Sequence, residues 1–167
     1  MNNRTVIVIT GPTASGKTTL GVSLALALGT EVVSADSMQL YRGMDIGSAK
    51  PTREEMRGVP HHMIDVADPA EDYSVSRWVE NAAACCDALL AGGKTPVIVG
   101  GTGLYIESLL SGRDFSAAPG DSGVREALGT EYDTLGGAVF REKLRLVDPE
   151  RAEKLAPGDK KRLVRAM

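Results

Sequence analysis

Residues 5–18 read Thr-Val-Ile-Val-Ile-Thr-Gly-Pro-Thr-Ala-Ser-Gly-Lys-Thr, and this stretch decides the fold. Its apolar, β-branched first half predicts a buried strand, and the residues that follow predict a helix over 19–28. Between them stands Gly-x-x-x-x-Gly-Lys-Thr over 11–18, a phosphate-binding P-loop in the strand–loop–helix order that such a loop requires. Its glycines let backbone N–H groups converge on one point, where the helix N-terminus adds partial positive charge. We therefore expect a phosphate site.

The composition is that of an ordinary globular domain, with 43% hydrophobic and 25% charged residues among 167. Aromatic residues make up only 4%, which argues against a surface of base-stacking platforms. Acidic residues outnumber basic ones by thirteen to nine over residues 1–120, whereas basic residues lead by ten to nine over residues 121–167. Any nucleic-acid contact should therefore use local basic patches, chiefly in the second segment.

The two cysteines, Cys85 and Cys86, are neighbours in an Ala-rich helical stretch and lack the spacing of metal ligands. They predict inert helix packing in a reducing compartment rather than a disulfide. The sequence has neither a signal-peptide pattern nor an apolar stretch of membrane-spanning length. We therefore expect a cytoplasmic protein with no membrane partner.

Predicted strands and helices alternate after the first helix. The further strands are expected over 31–35, 62–66 and 95–99, and the further helices over 75–90 and 104–110, with a capping box at Thr52-x-x-Glu55. Strands that are apolar on both faces and separated by helices indicate an α/β fold of the P-loop NTPase kind. In such a fold a parallel sheet is covered by helices on both faces.

The chain is predicted to divide into three parts. Residues 1–112 form the P-loop α/β core, and residues 113–123, rich in Gly, Ser, Ala, Pro and Asp, form a linker. Residues 124–167 contain only helical patterns, with helices expected over 125–128, 138–147, 149–155 and 160–167. The last of these helices has about two turns, which is marginal for an isolated helix.

In open parallel sheets, ligands bind outside the carboxyl ends of the strands. Polar sequence follows three such ends, at the P-loop, at 34–37 and at 100–103, so we expect one shared pocket. Asp36 suits holding Mg²⁺ through water, accepting a substrate proton, or capping the next segment. The Thr102 hydroxyl is suited either to hydrogen-bond a phosphate oxygen or to cap the following helix. A small-molecule kinase, a nucleotide-dependent ligase and another use of a bound diphosphate all fit this pocket.

Three stretches of sequence beyond the P-loop discriminate among these functions. They are Ser-Ala-Asp-Ser-Met-Gln-Leu-Tyr-Arg-Gly-Met-Asp-Ile-Gly-Ser-Ala-Lys-Pro over 34–51, Pro-His-His-Met-Ile-Asp over 60–65 and Val-Ile-Val-Gly-Gly-Thr-Gly-Leu-Tyr over 97–105. With the P-loop, they resemble the tRNA dimethylallyltransferases, also called the tRNA isopentenyltransferase family. Weaker matches follow in order at 148–149 and 161–165, so the resemblance covers nearly the whole chain.

The resemblance implies transfer of a dimethylallyl group from dimethylallyl diphosphate to N6 of adenosine 37 in tRNA, with release of diphosphate. The P-loop would then hold a leaving group, and Mg²⁺ on Thr18 would help to stabilise its charge. The resemblance implies three catalytic residues. Asp36 takes the N6 proton, Thr102 lies between the substrate and the diphosphate, and Lys17 stabilises the negative charge on the departing diphosphate. The implied diphosphate- and nucleotide-binding residues are Gly11, Pro12, Thr13, Ala14, Ser15, Gly16, Lys17 and Thr18.

The resemblance also implies a tRNA-binding surface, partly against a flipped-out adenosine. Its residues are Asp36, Ser37, Met38, Gln39, Thr102, Arg125, Lys161, Arg162 and Arg165. For the four basic residues, a solvated helix face is the alternative. Family members continue for a comparable length beyond residue 167, so we expect a truncated chain with its diphosphate pocket but weak tRNA affinity and low turnover. We further expect a monomer, in which ATP can enter the P-loop as a diphosphate mimic.

Three rival interpretations stay open. An adenylate dimethylallyltransferase acts on a free nucleotide, which needs no extended backbone contact, so the basic second segment favours tRNA. A P-loop small-molecule kinase predicts phosphate transfer from ATP to the acceptor. A binding-only remnant predicts diphosphate binding without catalysis.

Overall fold

The computed structural model describes residues 5–112 and 122–167, which belong to two compact units, Met1–Arg113 and Asp114–Met167. Most of the predicted linker over 113–123 lies outside the described residues. The first unit contains strands β1 (Ile7–Thr10), β2 (Val32–Ser34), β3 (His61–His62) and β4 (Val97–Gly100), and helices α1 (Lys17–Leu28), α2 (Arg53–Met56), α3 (Val75–Ala91) and α4 (Gly103–Leu110). The second contains α5 (Ser122–Leu135), α6 (Gly137–Val147), α7 (Pro149–Lys154) and α8 (Lys160–Ala166).

The four strands form one parallel sheet in the order β1-β4-β2-β3. Val97 pairs with Ile7 on one side and with Val32 on the other, so β4 is a central strand. Because the strands are parallel, their carboxyl ends meet at one edge of the sheet. This confirms the predicted α/β fold with a parallel sheet.

Both faces of the sheet are buried, because side chains alternate along each strand. Val33 and Ile98 pack in one apolar cluster with α3 and α4, where Trp78 is fully buried and stacks on Tyr105 at 4.6 Å between ring centroids. On the other side, Val32, Val97 and Val99 pack with residues of α1 in a second cluster. The prediction of helices on both faces is therefore confirmed.

The predicted third strand over 62–66 is wrong beyond residue 62. Met63 and Asp65 have φ of 63° and 55°, which turns the backbone out of the extended region. The segment instead runs beside the residues after β2, with a parallel bridge between Tyr41 and Ala67 and a hydrogen bond from Arg42 N to Ala67 O at 2.9 Å. The apolar alternation of 62–66 carried no sign of these positive φ angles.

The predicted capping box is confirmed. The Thr52 side chain accepts a hydrogen bond from Glu55 N, and the Glu55 carboxylate accepts one from Thr52 N, which makes a full capping box for α2. Ser74 Oγ accepts a hydrogen bond from Arg77 N at the start of α3.

Cys86 is buried on helix α3, and burial, with the neighbouring Cys85 and Asp87, raises the pKa of its thiol to about 11.

The second unit is helical throughout its described residues, and its helices begin within a few residues of their predicted starts. Its core is an apolar cluster of Phe140, Leu144, Ala152, Leu163 and Val164. The side chains of Asp148 and Asp159 cap α7 and α8 by accepting backbone N–H groups. In the described parts of both units, every helix is too short or too polar to cross a membrane.

Candidate functional site

A cavity of about 440 Å³ opens at the carboxyl ends of the strands in the first unit. The P-loop supplies one side of it through the six consecutive residues Thr13–Thr18. The remaining lining comes from the chain after β2 as far as α2 and from the end of β4, with Asp36, Met38, Gln39, Gly47, Ser48, Ala49, Pro51, Glu55, Val99, Gly100 and Gly101. The expected shared pocket is therefore present in the structure.

Two residues of the P-loop have left-handed backbone conformations, which turn the loop. Gly16 has φ of 79° and immediately precedes α1, whereas Ala14 reaches φ of 62° without being a glycine. Ser15 Oγ donates to Pro12 O at 2.8 Å, and Lys17 Nζ donates to the same carbonyl. The loop therefore keeps its shape largely through contacts within itself. It leads into the N-terminus of a 12-residue helix, where partial positive charge favours an anion.

Asp36 follows β2 and takes one of its predicted roles, capping of the next segment. Its Oδ1 accepts hydrogen bonds from the backbone N–H groups of Met38 at 2.8 Å and Gln39 at 3.3 Å, so it caps the turn after the strand. The same carboxylate lines the cavity with the P-loop. Its Oδ2 accepts no hydrogen bond from any residue within 5–112 or 122–167. Capping therefore uses one oxygen and leaves the other for a ligand.

The Thr102 side chain makes a contact that the sequence did not predict. Thr102 precedes α4, but its side chain makes no capping hydrogen bond, so the helix-cap alternative is wrong. Its Oγ1 instead accepts from Ser37 N at 3.0 Å, and its backbone N–H donates to Ala35 O at 3.1 Å. Neither Ser37 nor Thr102 is among the residues that line the cavity. Thr102 therefore ties the segment after β4 to the segment after β2.

A second wall of the cavity, which we call the far wall, comes from the end of the loop over residues 42–50, the wall loop. Gly47, Ser48 and Ala49 of this loop line the cavity, followed by Pro51. Sequence reasoning from strand ends missed them, because they are several residues away from the end of β2. The available signal was the Gly-Ser-Ala-Lys-Pro run over 47–51, which is part of the stretch that carries the family resemblance.

Gln39 connects the wall loop to the sheet. Its Nε2 donates to the carbonyl oxygens of Ser48 and Ala49, both at 3.3 Å, and its Oε1 accepts from Ser34 Oγ at 3.1 Å. Carbonyl oxygens can only accept, so the amide nitrogen has to face them. Gln39 therefore both lines the cavity and supports its far wall.

Metal ligands are sparse in this cavity. Within the described ranges, His, Cys, Asp and Glu residues form no group of three or more that could hold a metal ion. The cavity does contain the Thr18 side chain and the Asp36 carboxylate. Mg²⁺ commonly takes one or two protein ligands together with phosphate oxygens and waters. These residues therefore fit a Mg²⁺ ion that is held mainly by a phosphorylated ligand.

The four predicted basic residues of the second unit are all exposed, Arg125 on α5 and the other three on α8. Arg162 pairs with Asp159 at 3.3 Å. Arg162 and Arg165 also line a groove of about 410 Å³, whose other charged residues are Arg151 and Lys154. Lys161 and Arg125 do not line this groove. The structure thus brings together two of the four.

Sequence comparison places the chain in a known family. A family model described as IPP transferase matches residues 39–167, well over half of the chain. The chain belongs to the IPP transferase family. A second model, described as isopentenyl transferase, matches residues 4–69 and so includes the P-loop. The family resemblance seen in the sequence is confirmed.

Members of the IPP transferase family with curated names are similar along the whole chain. A protein named tRNA dimethylallyltransferase from Exiguobacterium sp. is 48% identical over all of this chain and 54% of its own length. One of the same name from Desulforudis audaxviator is 48% identical over 97% of this chain and 52% of its own length. The chain spans about half the length of the curated relatives it matches.

Solved structures agree with the fold. The full-length tRNA isopentenylpyrophosphate transferase from Bacillus halodurans has 41% identity and a TM-score of 0.67, over 98% of this chain and 54% of that one. A eukaryotic dimethylallyltransferase acting on tRNA has 31% identity and a TM-score of 0.81, over 96% of this chain and 40% of that one. Members of the IPP transferase family thus share this architecture.

Proposed function

We propose that this chain carries the diphosphate-binding and proton-accepting part of a tRNA dimethylallyltransferase. The reaction transfers a dimethylallyl group from dimethylallyl diphosphate to N6 of adenosine 37 in tRNA and releases diphosphate. The observation that carries this proposal is the single cavity lined by the P-loop residues Thr13–Thr18, by Asp36 and by Gln39. The curated relatives named tRNA dimethylallyltransferase support the choice of substrates.

The P-loop is proposed to hold the diphosphate as a leaving group. Lys17 and the backbone N–H groups at the start of α1 stabilise negative charge that grows as the carbon–oxygen bond breaks. Mg²⁺, held by Thr18 and phosphate oxygens, would supply further charge neutralisation when bound. ATP fits the same loop as a diphosphate mimic, because the loop recognises phosphates and not the group attached to them.

Asp36 is proposed to act on the acceptor. An exocyclic adenine amine is a weak nucleophile, and it gains from a carboxylate that accepts its proton during attack. The N6–carbon bond forms while the carbon–oxygen bond breaks, the electron pair leaves with the diphosphate, and the N6 proton moves to Asp36. Oδ1 is held by the amides of Met38 and Gln39, so Oδ2 is the oxygen that receives the proton.

Thr102 is proposed to assist from the end of the neighbouring strand, where it directly follows the cavity-lining Gly101. Its Oγ1 accepts the Ser37 N–H, which leaves its own O–H to donate toward the oxygen that bridges the prenyl group and the diphosphate. The same contact fixes Ser37 beside Asp36, at the start of the segment proposed to face the flipped-out adenosine. Arg125, Lys161, Arg162 and Arg165 are proposed to meet tRNA phosphates, because they are exposed cations.

The proposal is tested by an Asp36→Asn substitution with Asp68→Asn as its matched control. Both side chains accept a backbone N–H two residues later, Asp36 from Met38 and Asp68 from Ala70, but only Asp36 lines the cavity. Under single-turnover conditions with an unmodified anticodon stem-loop, Asp36→Asn should slow prenyl transfer by about 10²–10⁴-fold. Asp68→Asn should leave the rate within about twofold. Equal rates for all three proteins would refute the role of Asp36.

A further inference from the structure

The wall loop is not held in place by packing of its tip. Ile46 is at the tip and is 98% exposed. Turns inside the loop join Ala49 N to Ile46 O and Lys50 N to Asp45 O, and Ser48 Oγ donates to Met44 O. These contacts shape the loop locally but do not attach it to the rest of the unit. Its position relative to the P-loop therefore depends on other polar contacts.

Lys50 supplies three of those contacts. Its side chain is only 5% exposed, and Nζ donates to Tyr41 O at 2.8 Å, Asp45 Oδ1 at 2.7 Å and Asp65 Oδ1 at 2.5 Å. All three ammonium protons are thus used. Burial by itself would lower the pKa of Lys50, but the two carboxylates outweigh it and raise the pKa. The lysine therefore stays charged and joins both ends of the wall loop to the segment after β3.

Gln39 provides a further attachment, from β2 to the cavity-lining end of the loop, in addition to the hydrogen bond from Arg42 N to Ala67 O at its start. Its amide joins Ser34 to the carbonyls of Ser48 and Ala49, as described above. Ala49 has φ of 48°, a conformation that a non-glycine residue keeps only where its surroundings impose it. The contacts around the far wall thus impose its shape, whereas the P-loop keeps its shape through hydrogen bonds within the loop.

We propose that Lys50 is a positioning residue that holds Gly47–Ala49 at the distance from the P-loop that a prenyl diphosphate needs. This inference rests on the proposed function. The diphosphate contacts the P-loop, so the organic part of the substrate is the part that meets the far wall. Removing the ammonium would leave Asp45 and Asp65 as two like charges beside each other, and their repulsion would move the loop outward.

The test measures two ligands on the same protein by isothermal titration calorimetry with Mg²⁺. One ligand is inorganic diphosphate, and the other is the non-hydrolysable S-thiolo analogue of dimethylallyl diphosphate. Lys50→Met should raise the Kd of the prenyl analogue about tenfold and change the Kd of inorganic diphosphate less than about twofold. Lys94→Met is the matched control, because Lys94 also pairs with a carboxylate, that of Glu31, but does not contact the wall loop. It should change neither Kd.

Asp65→Asn is a second variant that tests the same contact if Lys50→Met fails to fold. It keeps the shape of the Asp65 side chain and an oxygen that can accept a hydrogen bond from Lys50. It should raise the Kd of the prenyl analogue alone, by about threefold. Equal weakening of both ligands, or no weakening of either, would overturn the positioning role while leaving the proposed function intact. If the unsubstituted chain bound neither ligand, the proposed function and this inference would both fall.

Discussion

Gly100 is the position where one added methyl group should have the largest effect on the site. A Cβ built there lies 2.2 Å from Ala35 O and 2.4 Å from the Ala35 carbonyl carbon. Carbon–oxygen contacts normally begin at about 3.3 Å, so the ends of β2 and β4 would have to separate by about 1 Å. That movement strains the hydrogen bonds from Ala35 N to Val99 O and from Thr102 N to Ala35 O. With about 1 kcal/mol for the weakened bonds and 1–3 for overpacking, Gly100→Ala should cost about 2–4 kcal/mol.

A loss of this size should lower the melting temperature by about 6–12 °C, measured by circular dichroism. Diphosphate affinity, measured by calorimetry, should fall as well, because Gly100 lines the cavity. Gly101→Ala is the matched control, since its Cβ would lie 3.6 Å from the nearest atom, Gly11 O, which is an ordinary contact. If both substitutions lowered the melting temperature equally, the close approach of the two strands would not be the cause.

Three further predictions concern other parts of the first unit. Thr52→Ala removes the capping box of α2 and should lower the free energy of unfolding by about 1 kcal/mol in urea titrations, whereas an unchanged midpoint would contradict the cap. Hydrogen bonds from Lys94 and then His62 lower the pKa of Glu31 below its ordinary 4.5, so its stabilisation is complete above pH 4.5 and is lost as pH falls through the folded pKa. The stability difference between the unsubstituted chain and Glu31→Gln should therefore shrink below pH 4.5, and a constant difference would refute the pairing. Burial and nearby groups raise the pKa of Cys86 to about 11, so iodoacetamide should modify it far more slowly in the native than in the denatured chain, and equal rates would contradict this.

Much of the fold could be predicted because local signals and tertiary packing agree. The β-branched runs before the P-loop and before Gly100 became strands, and the helix predicted from residue 75 begins at that residue. The one strand prediction that failed, over 62–66, failed because Met63 and Asp65 take positive φ, which their residue types do not indicate. Apolar alternation reports which side chains are buried and not whether the backbone stays extended.

The candidate site was predictable only in part for a related reason. The P-loop and Asp36 follow strand ends directly, and the topology brings such ends together. The contact of Thr102 with Ser37 spans 65 residues, and the contact of Lys50 with Asp65 depends on the turn that the failed strand prediction missed. Such pairings follow from tertiary packing, which local sequence patterns do not specify.

The most direct test of the central claim follows two labels in one reaction. The protein is mixed with dimethylallyl diphosphate labelled in its carbon chain, ATP labelled in its terminal phosphate, an unmodified anticodon stem-loop and AMP. If the P-loop holds a leaving diphosphate, carbon label should appear on N6 of adenosine 37 in the stem-loop, and both acceptors should stay free of phosphate label. Phosphate label on an acceptor, or carbon label on AMP alone, would contradict the account.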